Sequence, residues 1–386
     1  MFIATARRLA MSATTTCAPF SKAVVAAMRK LYPRELADNS WDNTGLLLEA
    51  PFIPSRRQSN TVLLTIDLTK AVADEAIALN SSIIVAYHPI IFRGLKSLTL
   101  ADTQQQSLLR LASHGISVYC PHTALDAAPG GLGDWLADIV TGTKKVNGPQ
   151  GADDQTDSSN PAAESDDDPF VEKKRPTFTL NHHPSQPILR LGKPPHLASS
   201  FTAPHKREVI KPQSPEIPSH PNAGMGRIVR FDHAQPLPDL LDRIGKGLNN
   251  PKGFPIAIPQ GKSISDMTIK SIGICAGSGS GLLSGLDVDL YFTGEMDHHA
   301  TLAAIEQGRV VISLFHSNSE RGFLAEVMAM QLEDAIDVEW NKVRQECEDK
   351  EEFKDAVADY DFEVAVSEAD RDPYSIVVLK NDAEQA

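Results

Sequence analysis

An α/β fold, with mostly parallel sheets flanked by helices, is the architecture this chain predicts, and three observations predict it. Strand-length apolar runs at 62–66 (VLLTI), 82–87 (SIIVAY) and 116–120 (ISVYC) alternate with helically spaced segments at about 70–79 and 103–114. Strand, helix, strand, helix, strand is a βαβ series, in which each helix is the crossover that parallel pairing requires. Second, the runs at 82–87, 116–120 and 310–315 lead into His88, His122 and His316. Ligands of open parallel sheets sit at the C-terminal ends of strands, so three strand-end histidines point to one shared edge. Third, the patterning stops at about 143 and resumes near 225, which marks a long insertion of different character.

Residues 1–20 carry Arg7 and Arg8, several hydroxyl and alanine side chains and no acid; the first acidic residue is Glu35. That composition fits either a mitochondrial transit peptide or a disordered tail. Folded sequence is expected from Ser21, where SKAVVAAMRKLYP spaces its apolar residues helically and stops before Pro33. Residues 40–49 (SWDNTGLLLE) read as a turn, suited by Asn43 and Gly45, and a short strand, with a purely structural role. A further helix is expected around 132–140.

Acidic residues cluster at 152–168 and prolines recur from Pro161 to Pro221. Such a stretch buries too little apolar surface to offset its ordering entropy, so 143–222 is expected to be a disordered insertion. Six of the 12 histidines fall at 182–233. His-rich tracts can bind metal, but nothing here fixes their geometry and they are set aside. GRIVRF (226–231) opens the second half, and a helix follows through Leu241 and Leu248. The strand at 268–276 runs into Gly277-Ser278-Gly279-Ser280-Gly281. Gly277, Gly279 and Gly281 could cradle an anion or simply make a tight strand-to-helix turn; the loop lacks a Walker lysine and the Rossmann spacing. A strand at 289–293, then Gly294 and Glu295, precede a helix at 296–307 that carries His298 and His299. After the strand at 310–315 a long helix should reach about 345. Strands are expected at 362–367 and 375–379.

Lys and Arg total 37 against 50 Asp and Glu, a net charge of −13. A phosphate backbone is repelled by that average field, which disfavours direct nucleic-acid binding. The four cysteines form no CxxC pair, which fits a reducing compartment. No apolar run approaches the roughly 18 residues of a membrane-spanning helix, so no membrane is expected.

His88, His122 with Asp126, and His316 with Glu320 follow separate strands, and imidazole with carboxylate on one sheet edge reads as a divalent-metal site. Each residue has a plain alternative. Ser317 and Glu320 match S-x-x-E, a capping box in which Glu320 would only accept a backbone N–H. His88 could be a bonded turn residue and Asp126 a helix cap.

At these residues the chain resembles the NIF-three-like family. SWDNTGLLLE, AYHPIIF, HTALDAAPGG, TGEMDHHATLAAIEQG and HSNSERG stand in the order of that family's signature blocks. The resemblance covers about 21–142 and 225–380. It implies a two-lobed α/β fold with lobes at 21–142 and 223–386, a dinuclear divalent-metal site in the cleft, and a toroidal homohexamer. The implied ligands are His88, Asp126, His316 and Glu320. Where many bacterial members carry a His-His pair, this chain has Tyr87 before His88, so His122 could substitute or one metal could bind weakly. Glu295, His298 and His299 would lie nearby. Two ions of Zn²⁺, Mn²⁺ or Fe²⁺ suit such donors alike.

Members of the family are described as homologues of GTP cyclohydrolase I type 2, or named for an interactor of a transcriptional adaptor. Two functions are therefore expected. One is a metal-dependent hydrolase acting on a nucleotide-like or other phosphate-bearing small molecule. The other is a non-catalytic, metal-stabilised oligomer that binds transcriptional or other regulatory partners. The compartment follows as cytoplasmic or mitochondrial, with the nucleus the further option.

Overall fold

The computed structural model describes residues 16–143 and 202–377. The first sheet contains β1 (Gly45–Leu48), β2 (Thr61–Thr65), β3 (Ile83–Ala86) and β4 (Ser117–Cys120), and is completed by β11 (Glu363–Val366). Its order is β1-β4-β3-β2-β11, parallel throughout except for β1 at the edge. Every residue of β2, β3 and β4 is buried, as expected of a parallel sheet covered on both faces. The faces alternate with period two. Leu63, Ile84 and Val118 meet α2 (Lys70–Ala78) and α3 (Thr103–Ser113), whereas Val62, Leu64 and Val85 face α1 (Pro19–Leu31) and the long C-terminal helix. Helix starts obey local chemistry: Thr69 accepts the Val72 N–H and Asp102 the Gln105 N–H.

The second sheet holds β5 (His205–Pro212), β6 (Gly224–Pro236), β7 (Ile256–Ala257), β8 (Thr268–Ser278), β9 (Leu290–Glu295) and β10 (Val310–Ser313), in the order β5-β6-β8-β9-β10-β7. Its centre, β8-β9-β10, is parallel, and β5, β6 and β7 pair antiparallel outside it. Helix α4 (Thr123–Ala127) follows β4, and α5 (Leu132–Thr141) packs with α6 (Leu237–Gly247) against β6 and β8. Short α7 (Ser280–Leu283) follows β8 and α8 (His298–Glu306) follows β9. After β10 comes α9 (Arg321–Phe323), a π turn over Leu324–Met328, and α10 (Ala329–Cys347). One hydrophobic core runs through both sheets, from Phe20 and Trp340 to Leu136, Ile244 and Phe292. The lobes are also joined by Arg227 of β6, which is 3% exposed at its side chain and pairs with Asp134 of α5 at 2.8 Å.

Three expectations need correction. The tail expected over 1–20 is shorter, because α1 begins at Pro19, Ala18 and Phe20 are buried, and the Phe52 N–H bonds the Thr16 carbonyl; the rest of the tail, 1–15, lies outside the described residues. The insertion expected over 143–222 is also shorter, since 205–212 is β5, paired with β6 over seven registered residues from His205 to Pro212. This strand was illegible because HKREVIKP is an edge strand, only half-buried, and shows no apolar alternation. The remaining 144–201, with the acidic cluster, lie outside the described residues. Of the strand expected at 375–379, residues 375–377 are irregular and 378–379 lie outside the described residues.

Candidate metal centre

The C-terminal ends of the parallel strands of both sheets meet. Beyond β2 lies Asp67, beyond β3 Tyr87 and His88, and beyond β4 His122; the second sheet contributes Gly277 from β8, Glu295 from β9 and His316 after β10. His88, His316 and Glu320 each bring a ligand atom within 4.8 Å of the others, a group that could hold a metal ion. Glu320 sits between the rings, with His88 Nε2 at 3.5 Å from Oε2 and His316 Nε2 at 3.6 Å from Oε1. Its carboxylate is 1% exposed, and neither oxygen has a hydrogen-bond partner within the protein. Burial first, then the charges of Asp126 and Asp67, push its carboxyl well above the ordinary range. A buried carboxylate flanked by imidazoles and left without donors matches the donor set of a divalent cation.

The capping alternative for Glu320 does not describe the structure. No side chain caps α9 or the 3-10 turn Ser317–Ser319, and the Ser317 hydroxyl donates to Asp372 instead.

Each histidine of the group is held from behind. His88 Nδ1 lies 2.9 Å from Asp67 Oδ1, and His316 Nδ1 lies 2.9 Å from Glu295 Oε1. Burial raises the Asp67 carboxyl, but the bond and charge of His88 outweigh it and hold it below its ordinary value. An ionised Asp67 holds the Nδ1 side of the ring, which turns the Nε2 edge of His88 toward Glu320. His122 is held likewise, Nδ1 at 2.6 Å from Asp42 Oδ1. Its ring centroid is 5.6 Å from that of His88, but it is not one of the three convergent ligands.

Asp126 accepts a hydrogen bond from the Tyr87 hydroxyl at 2.8 Å. Burial pushes its carboxyl up, against the pull of His122 and of that hydroxyl. Tyr87 itself is buried, and burial and the Asp126 charge raise its phenol. Tyr87 therefore holds Asp126, which, like His122, is not one of the three convergent ligands. His298 and His299 lie exposed at the start of α8, their rings 5.3 Å apart, outside the ligand group.

The glycine loop serves close approach rather than anion binding. The Gly277 N–H donates to Ser319 Oγ at 2.8 Å and the Gly279 N–H to the Glu295 carbonyl at 3.0 Å, so both donors are spent inside the protein. Gly281 falls within α7, a helix of four residues. Gly277 adopts φ +57°, and a Cβ there would sit 2.8 Å from Glu320 Oε1 and 3.0 Å from His316 Nε2. Two non-glycine residues at the site also hold left-handed backbone, His122 at φ +33° and Phe315 at φ +66°, strain of a kind that collects at functional sites.

Asp67 and Asp42 are the site residues that the sequence analysis missed. Asp67 carried a usable signal, since it too follows a buried parallel strand. Asp42 lay inside a turn whose Asn43 and Gly45 chemistry already accounted for the local sequence.

A cleft between two α/β sheets, lined by imidazoles and acids from parallel strand ends, defines an α/β protein with a candidate metal centre. The model of the Duf34/NIF3 (NGG1p interacting factor 3) family matches residues 21–348, and the chain belongs to that family. It is 39% identical to the protein NIF3 homolog of Schizosaccharomyces pombe, over 79% of this chain and 86% of the relative. It is 35% identical to NGG1-interacting factor 3 of Saccharomyces cerevisiae, over 84% and 94% respectively. A hypothetical protein of Staphylococcus aureus shares the fold at 19% identity, with a TM-score of 0.57 and coverage of 94% of this chain and 100% of that one.

Proposed function

We propose that the chain is a metal-dependent hydrolase acting on a phosphate-bearing small molecule, nucleotide-like in class. The observation that carries this reading is Glu320, buried between two imidazole nitrogens with both oxygens unpartnered. His88, His316 and Glu320 would hold an ion, with Asp126 and His122 as donors toward a second. A Zn²⁺, Mn²⁺ or Fe²⁺ ion supplies Lewis acidity, lowering the pKa of water and polarising a phosphoryl or carbonyl oxygen. The protein's own part is orientation: Asp67 and Glu295 fix the imidazoles by their Nδ1 atoms, and Tyr87 fixes Asp126. GTP ring opening is the finer form of this reading, and it rests on the family resemblance. A toroidal homohexamer in the cytoplasm or mitochondrion belongs to the same reading.

A second reading is favoured by the name of the Saccharomyces cerevisiae relative, an NGG1-interacting factor. In it the metals stabilise an oligomer that binds a regulatory protein and turns nothing over. One experiment separates the two. Metal-loaded protein is screened against nucleotides and phosphoesters, beside His316→Ala. Turnover that needs metal and disappears in folded His316→Ala supports the hydrolase. A metal-loaded protein with no turnover, and specific capture of a purified partner, supports the binding role. Among the described residues no helix is long and apolar enough to cross a membrane.

A further inference from the structure

The family match ends at residue 348, yet the segment after β11 is bonded to the residues that present the metal-ligand group. β11 pairs with β2, and the Ser367 N–H extends the pairing to the Leu64 carbonyl at 2.8 Å. The chain then docks on α2. There the Glu75 carboxylate accepts from the Ser367 hydroxyl and from the N–H groups of Glu368 at 2.9 Å and Ala369 at 3.3 Å. Two aspartates reach the site from that anchor. Asp370, 3% exposed at its side chain, pairs with Arg321 at 2.5 Å and accepts the Ile66 N–H at 2.7 Å. Asp372 accepts the Ser317 hydroxyl at 2.7 Å, and Ser317 Oγ in turn accepts from Arg321 Nη2 at 2.9 Å. Tyr374 stacks on Phe315, ring centroids 6.0 Å apart and planes at 29°.

The partners are all neighbours of site residues. Ile66 precedes Asp67, which holds His88. Phe315 and Ser317 flank His316, and Arg321 follows Glu320. We infer that residues 367–374 form a strap whose carboxylates, Asp370 and Asp372, are positioning residues for the His88, His316 and Glu320 group; this rests on the metal-binding reading above. The reason is mechanical. His316 and Glu320 stand on a connection whose regular structure is a single 3-10 turn, and the Glu320 oxygens have no bond of their own to fix them. The Asp370 carboxylate grips the end of β2 and the Glu320 segment together, so it sets the separation of the two halves of the ligand group. Outer partners of metal ligands typically carry 10–100-fold in metal affinity.

The test is Co²⁺ titration of the full chain, read by chelator competition and by the visible ligand-field bands, with circular dichroism and melting on each variant. Asp370→Asn keeps an acceptor for the Ile66 N–H but loses the charge that Arg321 pairs with. Asp372→Ala removes a half-buried acceptor, and decides alone where Asp370→Asn fails to fold. Leu240→Val, in α6, controls for lost stability, and Asp370→Glu tests rescue. The strap predicts about tenfold weaker Co²⁺ binding and altered bands in Asp370→Asn and Asp372→Ala. It predicts neither change in Leu240→Val, and partial recovery in Asp370→Glu. Wild-type affinity and bands in folded Asp372→Ala and Asp370→Asn would overturn the strap, as would an equal loss in Leu240→Val. A wild-type protein that takes up no Co²⁺ overturns the metal reading itself, and the strap with it.

Discussion

At the scale of single residues, buried Glu320 and half-buried Asp134 show two ways of holding a carboxylate inside the fold. Asp134 is fully compensated: it accepts from Arg227 Nε at 2.9 Å, Arg227 Nη2 at 2.8 Å, Arg207 at 3.0 Å and the Gly130 N–H at 2.9 Å. Burial alone would raise its carboxyl, but Arg227, the Gly130 N–H and Arg207 outweigh it and hold it below its ordinary value. A depressed acid stabilises the fold above its unfolded pKa of roughly 3.9 and loses that contribution as pH falls through its folded pKa. Asp134→Asn should therefore cost about 3 kcal/mol near pH 7, the lower end of the penalty for breaking a buried pair, since Arg227 is buried but Asp134 only half so. The difference from wild type should shrink below about pH 4, and melting temperature against pH checks it. Glu320 has the burial without the donors. Gly277 makes room for it, so Gly277→Ala should fold with a loss of roughly 1–2 kcal/mol for its left-handed backbone and take up markedly less metal. Elemental analysis of the purified variant reads this directly, and unchanged metal content would refute the close-approach role.

At the scale of elements, the excursion between the lobes has a defined geometry at its ends. The Ala203 N–H bonds the Thr141 carbonyl at 2.9 Å, and the Thr143 N–H bonds the Asp138 carbonyl at 3.0 Å. The chain thus leaves α5 and returns beside it. Replacing 144–201 by a short Gly/Ser linker should leave melting temperature and metal content near wild type, because closure entropy depends only weakly on loop length. Extending the deletion through 222 removes β5, together with the Arg207 bonds to Asp134 and Asp138, and should yield a destabilised protein. Differential scanning calorimetry of the two deletions distinguishes them. The contrast also marks what the chain disclosed before folding. β2, β3, β4 and β10 were legible because buried parallel strands are uninterrupted apolar runs. β5 was not, because its stability comes from backbone pairing with β6 and from ion pairs across the lobes, neither of which leaves a periodic pattern. Likewise His88 and His316 were legible as candidates from their place just after buried strands, and Glu320 from its spacing to His316. The carboxylates behind His88 and His122, Asp67 and Asp42, meet those rings only through the tertiary fold.

For the whole molecule, one core shared by the two sheets ties the lobes together, so moving the candidate ligands of one lobe against the other would disturb packing in both. The two lobes supply complementary parts: His88 comes from the first, His316 and Glu320 from the second. Metal binding should therefore stabilise the intact molecule, by an amount that grows with the logarithm of free metal concentration. The account rests on Glu320 being a ligand that joins those halves. The most direct test is metal stoichiometry in Glu320→Gln, measured by elemental analysis after identical metal loading of mutant and wild type. Glutamine preserves shape but lacks the anionic oxygen pair, so the account predicts the loss of at least one metal equivalent with native circular dichroism. Full wild-type stoichiometry in folded Glu320→Gln would contradict it.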